Sequence, residues 1–157
     1  MKRIFALAST VILIIILLTS FVAPKDQVLN SLGKYDQSEY YSEGGFQDYT
    51  DYAKYYFASV EIDGNEYFNR IQDSDIEVLN EHLDNFESWI KVYREGDSSR
   101  EIVVNYDFDR ALIDKEDYIY INSEKHEWDD GFVSLVNYDV YFFDSQTKTL
   151  YYFHNNI

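Results

Sequence analysis

The stretch SDIEVLNEHLDNFESWIKV, residues 74–92, decides the fold. Its apolar residues Ile76, Leu79, Leu83, Phe86 and Ile90 recur at steps of three and four, with Trp89 at the edge of the stripe. That period marks one face of an amphipathic helix that needs a sheet or another helix against it. Ser74 stands where an N-cap is required and Glu77 follows three residues on. The pair forms a capping box in which each side chain satisfies a free backbone amide, and Asp75 adds negative charge at the positive helix start. The spacing predicts a helix from about Asp75 to Val92, ending before Gly96, with His82 off the stripe and facing solvent.

Downstream of this helix the period changes. Ile102 to Val104 is β-branched and leads into Tyr106 and Phe108, which reads as a strand. Tyr118 to Ile121 alternates tyrosine and isoleucine, Asn122 to Asp130 reads as a polar turn or loop, and Phe132 to Phe143 holds one or two strands. Asp144 to Thr147 is a hairpin loop, and Leu150 to Phe153 is the last strand. Upstream, Tyr49, Tyr52 and Tyr56 match one helical face and predict a short helix over 48–57. Asp63-Gly64 is a turn pair, and Ser38 to Gly45 reads as a loop. Sequential strands joined by short connections favour an antiparallel meander. The expected class is α+β, with that sheet packed against one long amphipathic helix.

The amino terminus reads differently. Lys2 and Arg3 precede 21 uncharged residues, Ile4 to Pro24, of which Val11 to Leu18 are all large aliphatics. A run of about 20 apolar residues spans a bilayer. The basic front orients the remainder outward. Phe21-Val22-Ala23-Pro24 is a poor cleavage site for a signal peptide. The expectation is a signal-anchor that holds residues 4–23 in the membrane, single-pass with the C-terminal domain outside; secretion after cleavage is the alternative. The expected organisation is residues 1–24 as signal-anchor or signal peptide, 25–46 as tether and loop, and 47–157 as a single exported α+β domain.

Removing Lys2 and Arg3 from the 13 basic residues leaves 11 against 29 acidic ones, a formal charge of −18 with histidine neutral. Duplex nucleic acid requires basic clusters to meet its phosphates, and Lys2-Arg3 is the only adjacent basic pair, so no nucleic-acid partner is expected. The whole chain holds 16 Tyr and 11 Phe, and the exported part keeps all but Phe5 and Phe21, the aromatic content of a folded domain. There is no cysteine, which removes thiol catalysis, thiolate metal sites and disulfides.

No phosphate loop, nucleophile elbow or HExxH arrangement occurs, and no cofactor is expected. Asp107, Asp109, Asp114 and Asp117 cluster in one connection. Carboxylates suit calcium, but the glycine that a helix-loop-helix calcium loop needs at its sixth position is Leu112 here. Glu124, Glu127, Asp129 and Asp130 flank His126 and Trp128. The weak alternative site is therefore Asp107, Asp109 and His126, for an acidic-residue and histidine-dependent hydrolase or a metal-binding envelope protein. The leading expectation is a non-enzymatic, membrane-tethered extracytoplasmic domain that binds a protein or peptide. Its interaction surface is expected on the aromatic C-terminal strands, at Tyr138, Tyr141, Phe143, Tyr151 and Phe153, because tyrosine supplies rigid amphipathic contacts.

Overall fold

In a computed structural model, the structure describes residues 26–45, 48–127, 129 and 133–156. The chain divides into two compact units, Met1–Asn30 and Ser31–Ile157. Of the first, only residues 26–30 are described. They open a short helix, α1 (Gln27–Ser31), whose Leu29 N–H donates to Asp26 Oδ1 at 3.0 Å.

The second unit is a small α+β domain. Its strands are β1 (Gln37–Gly44), β2 (Tyr49–Tyr56), β3 (Asn69–Arg70), β4 (Tyr118–Glu127), β5 (Val133–Asp144) and β6 (Thr149–Asn156). They form one six-stranded sheet in the order β1-β2-β6-β5-β4-β3, and every pairing is antiparallel. The long helix, α2 (Asp73–Gly96), lies on one face, followed by a one-turn helix, α3 (Glu101–Asn105).

The stripe that predicts α2 is the stripe that is buried. Leu79, Leu83, Phe86 and Ile90 are each at most 2 % exposed, and Phe86 sets its ring against Tyr52 of β2 and Phe153 of β6, at 6.4 and 5.3 Å between centroids. The helix begins earlier than expected. Gln72, not Ser74, is the N-cap, and its N–H donates to Asp75 Oδ2 at 2.8 Å. A carboxylate three residues after the cap satisfies a capping box in either register, and Asp75 fills the role expected of Glu77. His82 is buried, not solvent-facing: its position between Leu79 and Phe86 widens the stripe. Its Nδ1 meets the Val78 carbonyl at 2.7 Å and its ring stands edge-on to Tyr138. Because a carbonyl only accepts, Nδ1 carries the proton, and burial pushes the imidazole pKa down.

Four local expectations are corrected. Residues 49–56 are a strand, β2, not a helix. Being central in the sheet, β2 has buried residues on both faces, so the alternation that distinguishes a strand is absent. Residues 37–44, read as tether and loop, are the edge strand β1, paired along its whole length with β2. Residues 102–104, read as a strand, lie in α3, where Ile102 and Val103 are buried; so short an apolar run does not discriminate by period. β4 also continues to Glu127 where a loop from Asn122 is expected.

The membrane expectation is corrected as well. Among the described residues no helix is long and apolar enough to cross a membrane. Helix α2 has 24 residues but is charged along its outer face. Residues 4–23, on which the anchor is placed, lie outside the described residues. The transmembrane and signal-anchor reading, the membrane as partner and the single-pass localisation are not carried forward.

Truncating a ring at the helix–sheet contact removes apolar area and leaves a cavity. Phe86→Ala is expected to cost about 3–5 kcal/mol. Val104→Ala, at a side chain 65 % exposed on α3, is expected to change stability by under about 0.5 kcal/mol. Urea denaturation of both variants checks this; equal losses would contradict the packing described.

Candidate functional site

Four of the five aromatics expected to form an interaction surface lie inside the domain. Tyr138 and Phe153 are each 1 % exposed in the core beneath α2. Tyr141 and Phe143 are buried on the other face of the sheet. Tyr151 is half-buried against Phe108, with ring centroids 5.0 Å apart. The Tyr138 hydroxyl donates to Asn85 Oδ1 at 3.1 Å, which ties β5 to α2.

Asp107 and Asp109 lie in the connection between α3 and β4, whereas His126 lies on β4. Asp107 receives hydrogen bonds from the Tyr52 hydroxyl at 2.8 Å and from Lys54 at 2.9 Å. Lys54, buried on β2, also pairs with Glu39 of β1 at 2.8 Å. Burial works against the charge of Lys54, but Glu39 and Asp107 outweigh it and hold the ammonium above the ordinary lysine range. Burial likewise pushes Asp107 up, yet Lys54 and Tyr52 prevail and keep its carboxyl below the usual range. Asp109 caps a 3-10 turn over Arg110–Leu112 by accepting from the Ala111 N–H at 2.9 Å. His126 is exposed near the end of β4. Among the described residues no group of three or more His, Asp or Glu is placed to hold a metal ion.

His126 instead lines a groove of about 640 Å³ between α2 and the β4–β5 hairpin. Asn85, Ser88, Trp89 and Val92 line its helix wall at steps of three, one and three, which is one helical face. Ser134, Leu135 and Val136 line its sheet wall. A β-bulge falls beside it: Glu124 opposes Asn137, but Lys125 opposes Leu135, so Val136 is the extra residue. Bulges bend the local strand and redirect side chains. Val92 is 53 % exposed here, and Trp89 is half-buried. A second groove of about 410 Å³ lies farther along β4, between Tyr67, Asn69, Asp75 and Val78 and the run Ile119–Ile121.

Strand register builds one further polar group that no sequence spacing announces. Asp51 of β2, His154 of β6 and Asp139 of β5 lie side by side on the face opposite α2. His154 Nδ1 is 2.9 Å from Asp139 Oδ1, which also accepts from the Tyr152 hydroxyl at 2.7 Å. Burial raises the Asp139 pKa, but the bonds from His154 and Tyr152 outweigh it and leave the carboxyl below its ordinary range. His154 Nε2 and Asp51 Oδ1 are buried without hydrogen-bond partners. An oriented imidazole of this kind has the proton-accepting geometry of a general base, but neither groove described above opens onto it.

In comparisons with known proteins, no family model, no curated protein and no solved structure matches this chain. The reading of the site rests on its own geometry.

Asp107, Glu39 and Asp139 all have carboxyl pKa values lowered by folding. Each contributes stability above the unfolded carboxylate pKa of about 4 that is lost as pH falls through the folded value. Asp107 is 62 % exposed at its side chain, so Asp107→Asn is expected to cost only about 1 kcal/mol at neutral pH. Its stability should then fall less steeply below about pH 4. Urea titrations at stepped pH measure both, and an unchanged acid slope would remove Asp107 from the network.

Proposed function

We propose that this chain is a binding domain for a protein or peptide segment, and that the groove between α2 and the β4–β5 hairpin receives it. The observation that carries the reading is Trp89, half-buried in the groove wall beside the exposed Val92 and above Leu135 and Val136. Tryptophan in a concave apolar surface is the kind of residue that dominates binding energy at interfaces. Asn85, Ser88, Ser134 and His126 add polar groups around the apolar floor, as recognition sites use a few such groups to fix orientation. The aromatic C-terminal strands serve this reading from beneath, since their rings fill the core that holds α2 over the sheet.

Peptides selected from a random displayed library against the immobilised full-length chain test the reading. Trp89→Ala is expected to weaken the selected peptides by about 30-fold, the effect of losing about 2 kcal/mol at an interface anchor. Val104→Ala, at an exposed side chain of α3 outside the groove, is expected to change nothing. Failure to select any peptide, or selection of peptides indifferent to Trp89→Ala, would overturn the reading.

A further inference from the structure

Among the described residues, the sheet has an open edge at β4. β4 has ten residues, but β3 has two and pairs only with Tyr118 and Ile119. Beyond Ile119, no strand of the described residues lies along the outer side of β4. The direction of its backbone groups follows from one bond. The Ile71 N–H donates to the Asp117 carbonyl at 3.0 Å, so residue 117 points its backbone groups outward. Backbone groups alternate along a strand between its two neighbours. Ile121, Ser123 and Lys125 therefore turn their N–H and C=O groups to the open side, while Tyr120, Asn122 and Glu124 face β5. The bulge leaves this alternation intact because its extra residue, Val136, belongs to β5.

One groove lies at the start of this open run, at Ile119–Ile121, and the other meets its far end through His126, its sheet wall being Ser134–Val136 of β5. Both are walled by α2, through Asp75 and Val78 in one and Trp89 and Val92 in the other. From Tyr120 to His126 is six residues, or about 20 Å of extended chain at about 3.3 Å each. An added strand of about eight residues would span both grooves, with one side chain anchored in each.

Charge decides what that strand is. Glu66 and Asp75 line the groove at Ile119–Ile121, and Glu124 and Glu127 lie on β4 itself. Lys125, the one lysine of β4, is already paired with Glu81 of α2 at 2.8 Å, so it does not repel a cation. A second copy of this chain would bring another −16 to an acidic edge. The other sheet edge, β1, is packed against α3 and joined to it through the Arg100–Glu43 ion pair.

Resting on the proposed binding role and naming its partner, we infer that the open edge of β4 takes up an extended basic segment by strand addition, with aliphatic or aromatic anchors about six residues apart in the two grooves. Main-chain hydrogen bonds to Ile121, Ser123 and Lys125 supply the common affinity, and the grooves and carboxylates supply the selectivity.

The probe is a synthetic peptide of about nine residues that alternates lysine with valine and carries tryptophan near one end. Its affinity for the full-length chain is measured by calorimetry beside three comparisons. The first is Ser123→Pro, which deletes one outward N–H at an edge where proline is tolerated. The second is the same peptide N-methylated at alternate amides, which leaves the protein untouched. The third replaces every lysine of the peptide by glutamate. The expected result is binding by the parent peptide, weaker at high salt, at least a tenfold loss in the first two comparisons, and no binding by the acidic peptide. If Trp89→Ala weakens the peptide while Ser123→Pro and N-methylation do not, strand addition is overturned and the groove reading stands. If the lysine–valine peptide does not bind, strand addition by a basic segment is overturned, and the groove reading stands or falls with the library selection. If the chain instead self-associates in sedimentation and Ser123→Pro abolishes it, the edge serves a second copy and the basic partner is overturned.

Discussion

The antiparallel pairing of β2 with β6 is the joint on which the rest depends. It brings Tyr52 opposite Phe153, and both rings meet Phe86 of α2. Thr50 donates to Asn155 at 2.8 Å across the same pair and meets the Tyr93 hydroxyl at 3.1 Å. An amino-terminal hairpin and a carboxy-terminal meander thereby become one sheet with one core. The joint links residues about 100 apart in the chain, a costly loop to close, and the buried aromatic contacts offset that cost. The Asp51–His154–Asp139 row is a product of this register and would not exist without it.

The proposed site arises from an asymmetry in the sheet. α2 is long enough to overhang the meander, and its Glu81 reaches Lys125 near the end of β4. β3, by contrast, stops after two residues. The combination leaves one groove between α2 and the start of β4 and another between α2 and the β4–β5 hairpin. The buried rings of β5 and β6 hold these walls in place, while the recognition groups belong to α2, β4 and the first residues of β5.

Much of the domain is legible in the sequence because its decisive element is periodic. The stripe from Ile76 to Ile90 announces α2 and its buried face, and the Asp144–Thr147 turn places the final hairpin. What is hidden depends on partners distant in the chain. β2 reads as a helix because Thr50 to Lys54 are buried on both sides of a central strand. β1 reads as a loop because its edge position permits polar residues such as Ser38, Glu39 and Ser42. His82 is misjudged because one position of helical phase separates the rim from the core. Trp89 is visible as the edge of the stripe, yet its role as a groove wall depends on the bulge at Val136, which a single strand's sequence does not reveal. The C-terminal aromatics attract notice by number, but number does not distinguish an exposed patch from a core.

The central claim, an open edge on β4 made to accept a strand, is tested most directly by amide hydrogen exchange at single-residue resolution, with and without the lysine–valine peptide. In the free chain the Ser123 amide is expected to exchange rapidly, whereas its neighbour Asn122, bonded toward β5, is protected. Adding the peptide should protect Ile121, Ser123 and Lys125 together and leave Asn122 unchanged. Protection of Ser123 in the free chain, or peptide binding that leaves all three outward amides exchanging as before, would contradict the account.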